Sequence, residues 1–370
     1  MGRGQRALEN LVTGISYLDG FRGTRVLITG HTGFKGAWLA TWLKDLGAQV
    51  TGFALPPEDG RPNLFSDAAV ADGMTSIMAD LRDIDAVARA FEQARPEIVF
   101  HLAAQSLIRR SYQEPLETFA TNLMGTVHVL EACRRAPGLK AAVVITSDKC
   151  YQNDEQAEDF REDDPLGGSD PYSASKGCAE LATRAYRQSF FSDPDGPLVA
   201  TTRAGNVIGG GDWAEDRLVP DIARGIATQQ PVVIRNPDSV RPWQHVLEPL
   251  RGYLILGARL MEGERAFAEA WNFGPNPEDI VPVKEIAARV IGAWGEGSIK
   301  NRPDPGAPPE AVLLYLNIEK AGERLDYKPV LGLEDGIGLT VDWYRAYRND
   351  PSKARELTHQ QVKDYWERLR

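Results

Sequence analysis

Arg25-Val-Leu-Ile-Thr-Gly-His-Thr-Gly-Phe-Lys-Gly36 is the stretch on which the reading of the whole chain turns. Arg25–Thr29 is a short apolar run closed by glycine, as expected of a strand covered on both faces. Gly30, Gly33 and Gly36 follow, and Trp38, Leu39, Trp42, Leu43 and Leu46 then recur at helical spacing until Gly47. A strand turning on glycines into a helix brings backbone N–H groups up to an anion. The stretch therefore reads as a dinucleotide site, with the cofactor pyrophosphate at the helix N terminus. His31, Thr32, Phe34 and Lys35 fill the turn between the glycines.

Working outward, strands and helices alternate. Gln49–Phe53 and Thr75–Met78 read as the second and third strands, Asp83–Ala94 as a helix, and Glu97–His101 as the fourth strand. A long helix is predicted from about Leu116 to Arg135, then a fifth strand Ala141–Thr146, a helix Tyr172–Gln188 and a sixth strand Leu198–Arg203. This alternation predicts parallel βαβ units: an α/β, Rossmann-type, doubly wound sheet. After residue 204 glycine and proline become frequent, as in Arg241-Pro-Trp-Gln-His245 and the loop from Asn301 to Pro309, with helical spacing over Val281–Ala293 and Leu333–Tyr347. The expected organisation is an N-terminal extension (1–22), a cofactor-binding domain (23–204), a smaller C-terminal substrate-binding α/β region (205–350) and a charged tail (351–370) forming a surface helix.

Composition narrows the function classes. The chain has 370 residues, 42% hydrophobic and 25% charged, with a net charge of −10. That is an ordinary globular profile and speaks against a nucleic-acid surface. Three cysteines without zinc spacing and five scattered histidines predict no metal site and a reduced, cytoplasmic setting. No apolar run approaches the roughly 20 residues needed to span a bilayer, and Met1–Arg6 is not followed by the apolar core of a secretory signal.

The chemistry is carried by Thr146-Ser-Asp-Lys149 and Tyr172-Ser-Ala-Ser-Lys176. Tyr172 and Lys176 stand one helical turn apart and share a face. A phenol with a pKa of about 10 is a poor base at neutral pH. A lysine ammonium and a positive nicotinamide nearby would stabilise its phenolate, and Ser147 would hydrogen-bond the same substrate hydroxyl. Ser, Tyr and Lys downstream of a dinucleotide turn predict oxidation of a hydroxyl by hydride transfer. Asp80-Leu81, after the third strand, is placed either for an adenine edge or as a helix N-cap. Leu102-Ala103-Ala104-Gln105, after the fourth, should pass the middle of the cofactor. No carboxylate ends the second strand to take a ribose 2′-hydroxyl, and His31 and Lys35 could tolerate a 2′-phosphate.

With these motifs and Gly30–Gly36 spaced G-x-x-G-x-x-G, the chain resembles the extended short-chain dehydrogenases/reductases over about Gly23–Tyr347. Phe160–Gly168, Asp170–Lys176, Arg203–Trp213 and Arg241–His245 narrow the resemblance to the NAD-dependent sugar-nucleotide 4,6-dehydratases that act on CDP-glucose; Ser169 stands where that group is expected to carry a His. The resemblance implies bound NAD, regenerated in each cycle, and CDP-D-glucose as the small-molecule substrate, within deoxysugar and O-antigen polysaccharide biosynthesis. It implies Asp148 as the general acid, and puts Lys149 where related enzymes have a glutamate base; Lys149 acts as that base or stabilises an enolate. It further implies Asn122 at the cofactor, and Ser106, Asn206, Arg217, Arg241, Trp243 and His245 around the substrate. A homodimer or dimer of dimers is expected, built on the Leu116–Arg135 and Tyr172 helices through Phe119, Leu123, Val127, Leu181, Ala182 and Tyr186. A sugar-nucleotide 4-epimerase would need Ser147, Tyr172 and Lys176 but not the Asp148-Lys149 pair. A non-catalytic dinucleotide sensor would have little reason to keep Ser147, Tyr172 and Lys176 together, and all three are here.

Overall fold

A computed structural model describes residues 16–153, 159–302 and 314–370. Most of the N-terminal lead-in and most of the Asn301–Pro309 loop lie outside them. Seven strands form one parallel sheet: β1 (Arg25–Thr29), β2 (Gln49–Ala54), β3 (Thr75–Met78), β4 (Ile98–His101), β5 (Ala141–Ile145), β6 (Leu198–Ala204) and β7 (Ala270–Phe273). Their order is 7-6-5-4-1-2-3. Strand order reverses between β1 and β4, where Thr29 is in register with both Phe53 and His101. Chain leaving β1 and β4 diverges there, opening the crevice in which ligands of doubly wound sheets bind. β4, β5 and β6 are buried along their whole length, which is why they read as continuous apolar runs.

The chain returns to this sheet twice beyond residue 204. Helix Leu247–Met261 packs on β5 and β6, and β7 extends the sheet beside β6. Ala270-Trp-Asn-Phe273 has no periodicity that marks it as a strand; its place comes from pairing with Thr201–Ala204. The long helix of the second βαβ half also departs from expectation. Pro115–Phe119 and Gly125–Arg135 are joined through one π-helical turn, Ala120–Met124. The wide turn carries Asn122 inward, and Gly125 lets Leu81 pack close; a Cβ there would lie 2.5 Å from Leu81 Cδ2. The tail does form a helix, Ala354–Arg368, but with Val362 and Tyr365 buried, Tyr365 edge-on to Trp42 at 5.6 Å. No helix of the described residues is long and apolar enough to cross a membrane.

Three histidines are buried in this framework. His101 bridges Thr29 Oγ1 (2.7 Å) and Thr126 Oγ1 (3.0 Å), His31 lies 2.7 Å from Ser76 Oγ, and His245 meets the edge of Trp38. Burial lowers His31 to about 4 and His101 and His245 to about 3. The unfolded chain takes up a proton at each near pH 6.5, whereas the fold refuses it. Their contribution is complete above pH 6.5 and is lost as pH falls toward 4, by about 1.4 kcal/mol per pH unit for each ring. The urea midpoint should therefore be lower at pH 5 than at pH 7. His245→Phe, which keeps a ring against Trp38, should make that dependence shallower by one ring's share; an unchanged slope would mean that His245 does not contribute to it.

Candidate active site

The glycine turn is shaped for close approach. Gly30 has φ +81°, and a Cβ on it would lie 2.7 Å from Ala103 N; one on Gly36 would lie 2.0 Å from the Gly30 carbonyl oxygen. Gly33 opens helix Phe34–Asp45 without a capping side chain, so the first N–H groups remain for an anion. Thr32 Oγ1 donates to Leu55 O at 2.9 Å, tying the turn to the end of β2. This cradle, with Leu102, Ala103 and Ala104 partly exposed opposite it, fits a dinucleotide pyrophosphate.

Two side chains of the turn do not point where a 2′-phosphate would need them. His31 is turned inward under Gly52 and beside Phe65, and is neutral. Lys35 points the other way, 3.4 Å from Tyr253 Oη, toward Asp148, Lys176 and Arg217. Burial and then the Arg217 charge lower its ammonium to about 7. Asp80 is not the helix N-cap: Asp83 accepts from Asp85 N and Ala86 N, while Asp80 is chelated by Arg82 (2.6–3.0 Å), which lowers its pKa. Leu81 offers only its main chain, since its side chain is packed against Gly125.

Asn122 and the Gln105 side chain also differ from expectation. The Asn122 amide accepts from Gln105 N (2.8 Å) and donates to Gln105 O and Ser175 Oγ (2.9 Å each). Gln105 turns to Leu107 and Thr118. Both amides are spent inside the protein, clamping the loop after β4 to the helix of Tyr172, and neither side chain reaches the crevice.

The proposed reacting groups do converge. β5 ends at Ile145, and Ser147 N-caps the single turn Asp148–Cys150, with Lys149 N at 3.3 Å from its Oγ. Ser147 Oγ donates to Asp148 Oδ1 at 2.9 Å, and Lys149 Nζ lies 3.9 Å from the same oxygen. Asp148 is 2% exposed, and its Oδ2 has no hydrogen-bond partner among the described residues. Helix Pro171–Phe190 starts at Asp170, which caps Ser173 N at 2.9 Å with Pro171 in the first turn. Its first turn delivers Tyr172 to Ser147, and Lys176 Nζ donates to Ile145 O at 3.3 Å. Burial pushes the Tyr172 phenol up to about 12, assisted by Asp148 and opposed by Ser147 and Arg217. Burial also lowers Lys176 to about 8, with Glu180 opposing. The protein's own groups thus do not bring Tyr172 into the neutral range.

Among the residues expected around the substrate, Arg217 is held by Asp212 Oδ2 (2.9 Å) and Ser106 Oγ (3.1 Å), and its charge acts on Tyr172. Asn206 lies half-buried just beyond β6, and Arg241 is buried with Nη1 donating to Val240 O at 2.9 Å. Trp243 and His245 are not at the crevice. Gln244-His245 pairs with Val207-Ile208, and both rings turn into the core; His245 lies against Trp38 and Gly336. Three contributors escaped the sequence reading: Asp212, Tyr253 and Glu180. Only Glu180 had a legible signal, its i,i+4 spacing from Lys176.

Crevice, glycine cradle and Ser–Tyr–Lys convergence define a nicotinamide-dependent enzyme of the extended short-chain type. The chain belongs to the NAD-dependent epimerase/dehydratase family, whose model matches residues 26–274. It is 48% identical over 331 residues to the CDP-glucose 4,6-dehydratase of Salmonella typhimurium, covering 88% of this chain and 92% of that protein. Among solved structures, the UDP-glucose 4-epimerase of Thermus thermophilus in complex with NAD superposes with a TM-score of 0.74 at 26% identity, covering 87% of this chain and 99% of that one. The dTDP-glucose 4,6-dehydratase DesIV of Streptomyces venezuelae shares the fold, with a TM-score of 0.76 at 23% identity over 89% of this chain and all of that one.

Proposed function

We propose that the chain is a CDP-glucose 4,6-dehydratase, converting CDP-D-glucose to CDP-4-dehydro-6-deoxy-D-glucose and water. The observation that carries this reading is Asp148-Lys149 directly beside Ser147 and Tyr172, in a chain 48% identical to a curated enzyme of that activity. The Gly30–Gly36 turn and the backbone of residues 80–81 and 102–105 would hold NAD, which when bound would supply the acceptor for the C4 hydride, its return to C6, and a positive charge favouring the Tyr172 phenolate.

The chain's residues supply the proton movements. Tyr172 takes the 4-hydroxyl proton, with Ser147 orienting that hydroxyl and Lys176 supporting the phenolate electrostatically. The 4-ketone acidifies the C5 proton, which Lys149 removes and gives back to C5 when the hydride reaches C6. Lys149 stands 17% exposed beside Asp148, and a lysine base must be partly desolvated to work at neutral pH. Asp148, whose Oδ2 has no hydrogen-bond partner among the described residues, protonates the departing 6-hydroxyl. Arg217 and Arg241, with Asn206 and Ser106, receive the nucleotide, guanidinium being suited to the diphosphate.

Incubation with CDP-, dTDP-, GDP- and UDP-glucose should remove one water from CDP-glucose by mass. Interconversion of sugars at constant mass would instead indicate an epimerase. The proposed setting of this chemistry is the cytoplasm, in keeping with three free cysteines.

A second copy is proposed to cover the outer face of helices Pro115–Phe119, Gly125–Arg135 and Pro171–Phe190. Leu116 is 86% exposed, and Met124 and Leu181 are exposed beside it. Light scattering at micromolar concentration should give a dimer or tetramer, and Leu116→Glu with Leu181→Glu should give monomer. A wild-type monomer would refute the interface.

A further inference from the structure

Glu180 and Arg203 form a buried ion pair that no step of the proposed reaction uses. Both side chains are 3% exposed, with Arg203 Nη2 at 2.9 Å from Glu180 Oε2. Glu180 follows Lys176 by four residues on the same helix, so the two share a face. It also accepts from Thr146 Oγ1 at 2.5 Å and from Thr201 Oγ1 at 2.7 Å. Arg203 donates to the Tyr151 hydroxyl (2.7 Å) and the Glu162 carbonyl (2.9 Å), with its guanidinium 4.7 Å from the Tyr151 ring centroid. Tyr151 in turn donates to Asn272 Oδ1 at 2.7 Å. Thr146 and Tyr151 bracket Ser147-Asp148-Lys149-Cys150. The pair therefore grips both ends of the catalytic turn against the helix that carries Tyr172 and Lys176.

We infer that Glu180 and Arg203 are positioning residues for the reaction: the pair fixes the Ser147–Asp148–Lys149 turn through Thr146 and Tyr151, and places a buried carboxylate one helical turn from Lys176. This rests on the dehydratase reading above. A buried ion pair is a weak source of stability, because well-packed apolar groups often do as well. What apolar groups cannot supply is a directed acceptor for Thr146 and a negative charge beside Lys176. Lys176 faces Glu180 and, one turn back, Tyr172 on its own helix, Cys150 on the catalytic turn, His101 on β4 and Lys35 on the helix after the glycine turn. Asp148 borders Lys35, and Arg203 borders Glu180. His101 is neutral, burial raises the Cys150 thiol, and Lys35 repels. Glu180 is the carboxylate that favours the protonated amine.

Glu180→Gln keeps the shape and removes the charge. Lys176 should then lose its proton at lower pH, moving the alkaline limb of C4 oxidation down by about one pH unit or more. The limb is read as transient NADH absorbance after rapid mixing with CDP-glucose. NMR titration of lysine-labelled, cofactor-free protein should show the same shift in Lys176. Glu180→Asp keeps the charge with a shorter reach, and should restore the limb while slowing C5 deuterium exchange relative to wild type. An unshifted Lys176 titration and limb in Glu180→Gln would overturn the inference. If Glu180→Gln does not fold, Thr146→Val decides. The Glu180 charge persists there, so NADH formation should keep its pH dependence while C5 exchange falls by about tenfold; exchange at the wild-type rate would overturn the inference. Failure of the wild-type protein to form NADH from CDP-glucose would refute the dehydratase reading instead, and the Lys176 titration would still test the charge.

Discussion

Tyr172→Phe is expected to slow C4 oxidation of CDP-glucose by roughly 10²–10⁴-fold or more, the usual worth of a positioned proton acceptor. The substitution removes one hydroxyl from a ring that is 7% exposed and leaves its packing in place. The backbone anchor of that residue, Tyr172 N to Ser111 Oγ at 3.2 Å, does not involve the phenol. Thermal stability and NAD affinity should therefore stay close to wild type. Stopped-flow absorbance of NADH after mixing with CDP-glucose checks the rate, and calorimetric titration checks the cofactor. Near-normal NADH formation would remove Tyr172 from the reaction.

Asp148→Asn and Lys149→Met should divide the cycle into its redox and elimination parts. Both residues belong to the short turn after β5, beside Ser147, and neither is assigned to the proton of the C4 hydroxyl. NADH should still form in both variants, and in both the loss of water should fall by a factor of about 10² or more. Lys149→Met should lose deuterium exchange at C5, because no base remains there. Asp148→Asn should keep exchange but fail to expel the 6-hydroxyl, since a carboxamide has no acidic proton to donate. Exchange at the wild-type rate in Lys149→Met would assign the base to another group and leave Lys149 as a stabiliser of the enolate. Equal loss of NADH and of dehydration in both variants would make the pair a sugar-positioning element only.

The places where sequence and structure part have a common origin. Asn122, Gln105, Trp243 and His245 are polar or aromatic residues in segments that border the crevice, and such residues read as ligands. In the fold they satisfy one another or the core. Asn122 holds Gln105 and Ser175, and His245 lies between Trp38 and Gly336. His31 and Lys35 sit four residues apart in one turn yet leave it on opposite sides, one buried toward Ser76 and one reaching Tyr253. Which side each takes depends on Gly52, Phe65 and Tyr253, and Tyr253 lies 218 residues from Lys35 along the chain.

The sequence by itself determined the parallel sheet through β6, the glycine turn and the nearness of Tyr172 to Lys176. These depend on local periodicity, on glycine's steric freedom and on helical spacing, all of which act between near neighbours in the chain. Only the tertiary structure decided that β7 joins the sheet, that Lys35 faces the catalytic turn, and that Glu180 and Arg203 grip that turn from beneath. Those outcomes depend on contacts between segments far apart in sequence. Thr146, Glu180, Arg203 and Asn272 come from β5's end, a helix and two further strands. A buried charge or amide takes its partner from whatever the packed layers bring within hydrogen-bond reach, and that is set by the closing of the sheet rather than by any one stretch of residues.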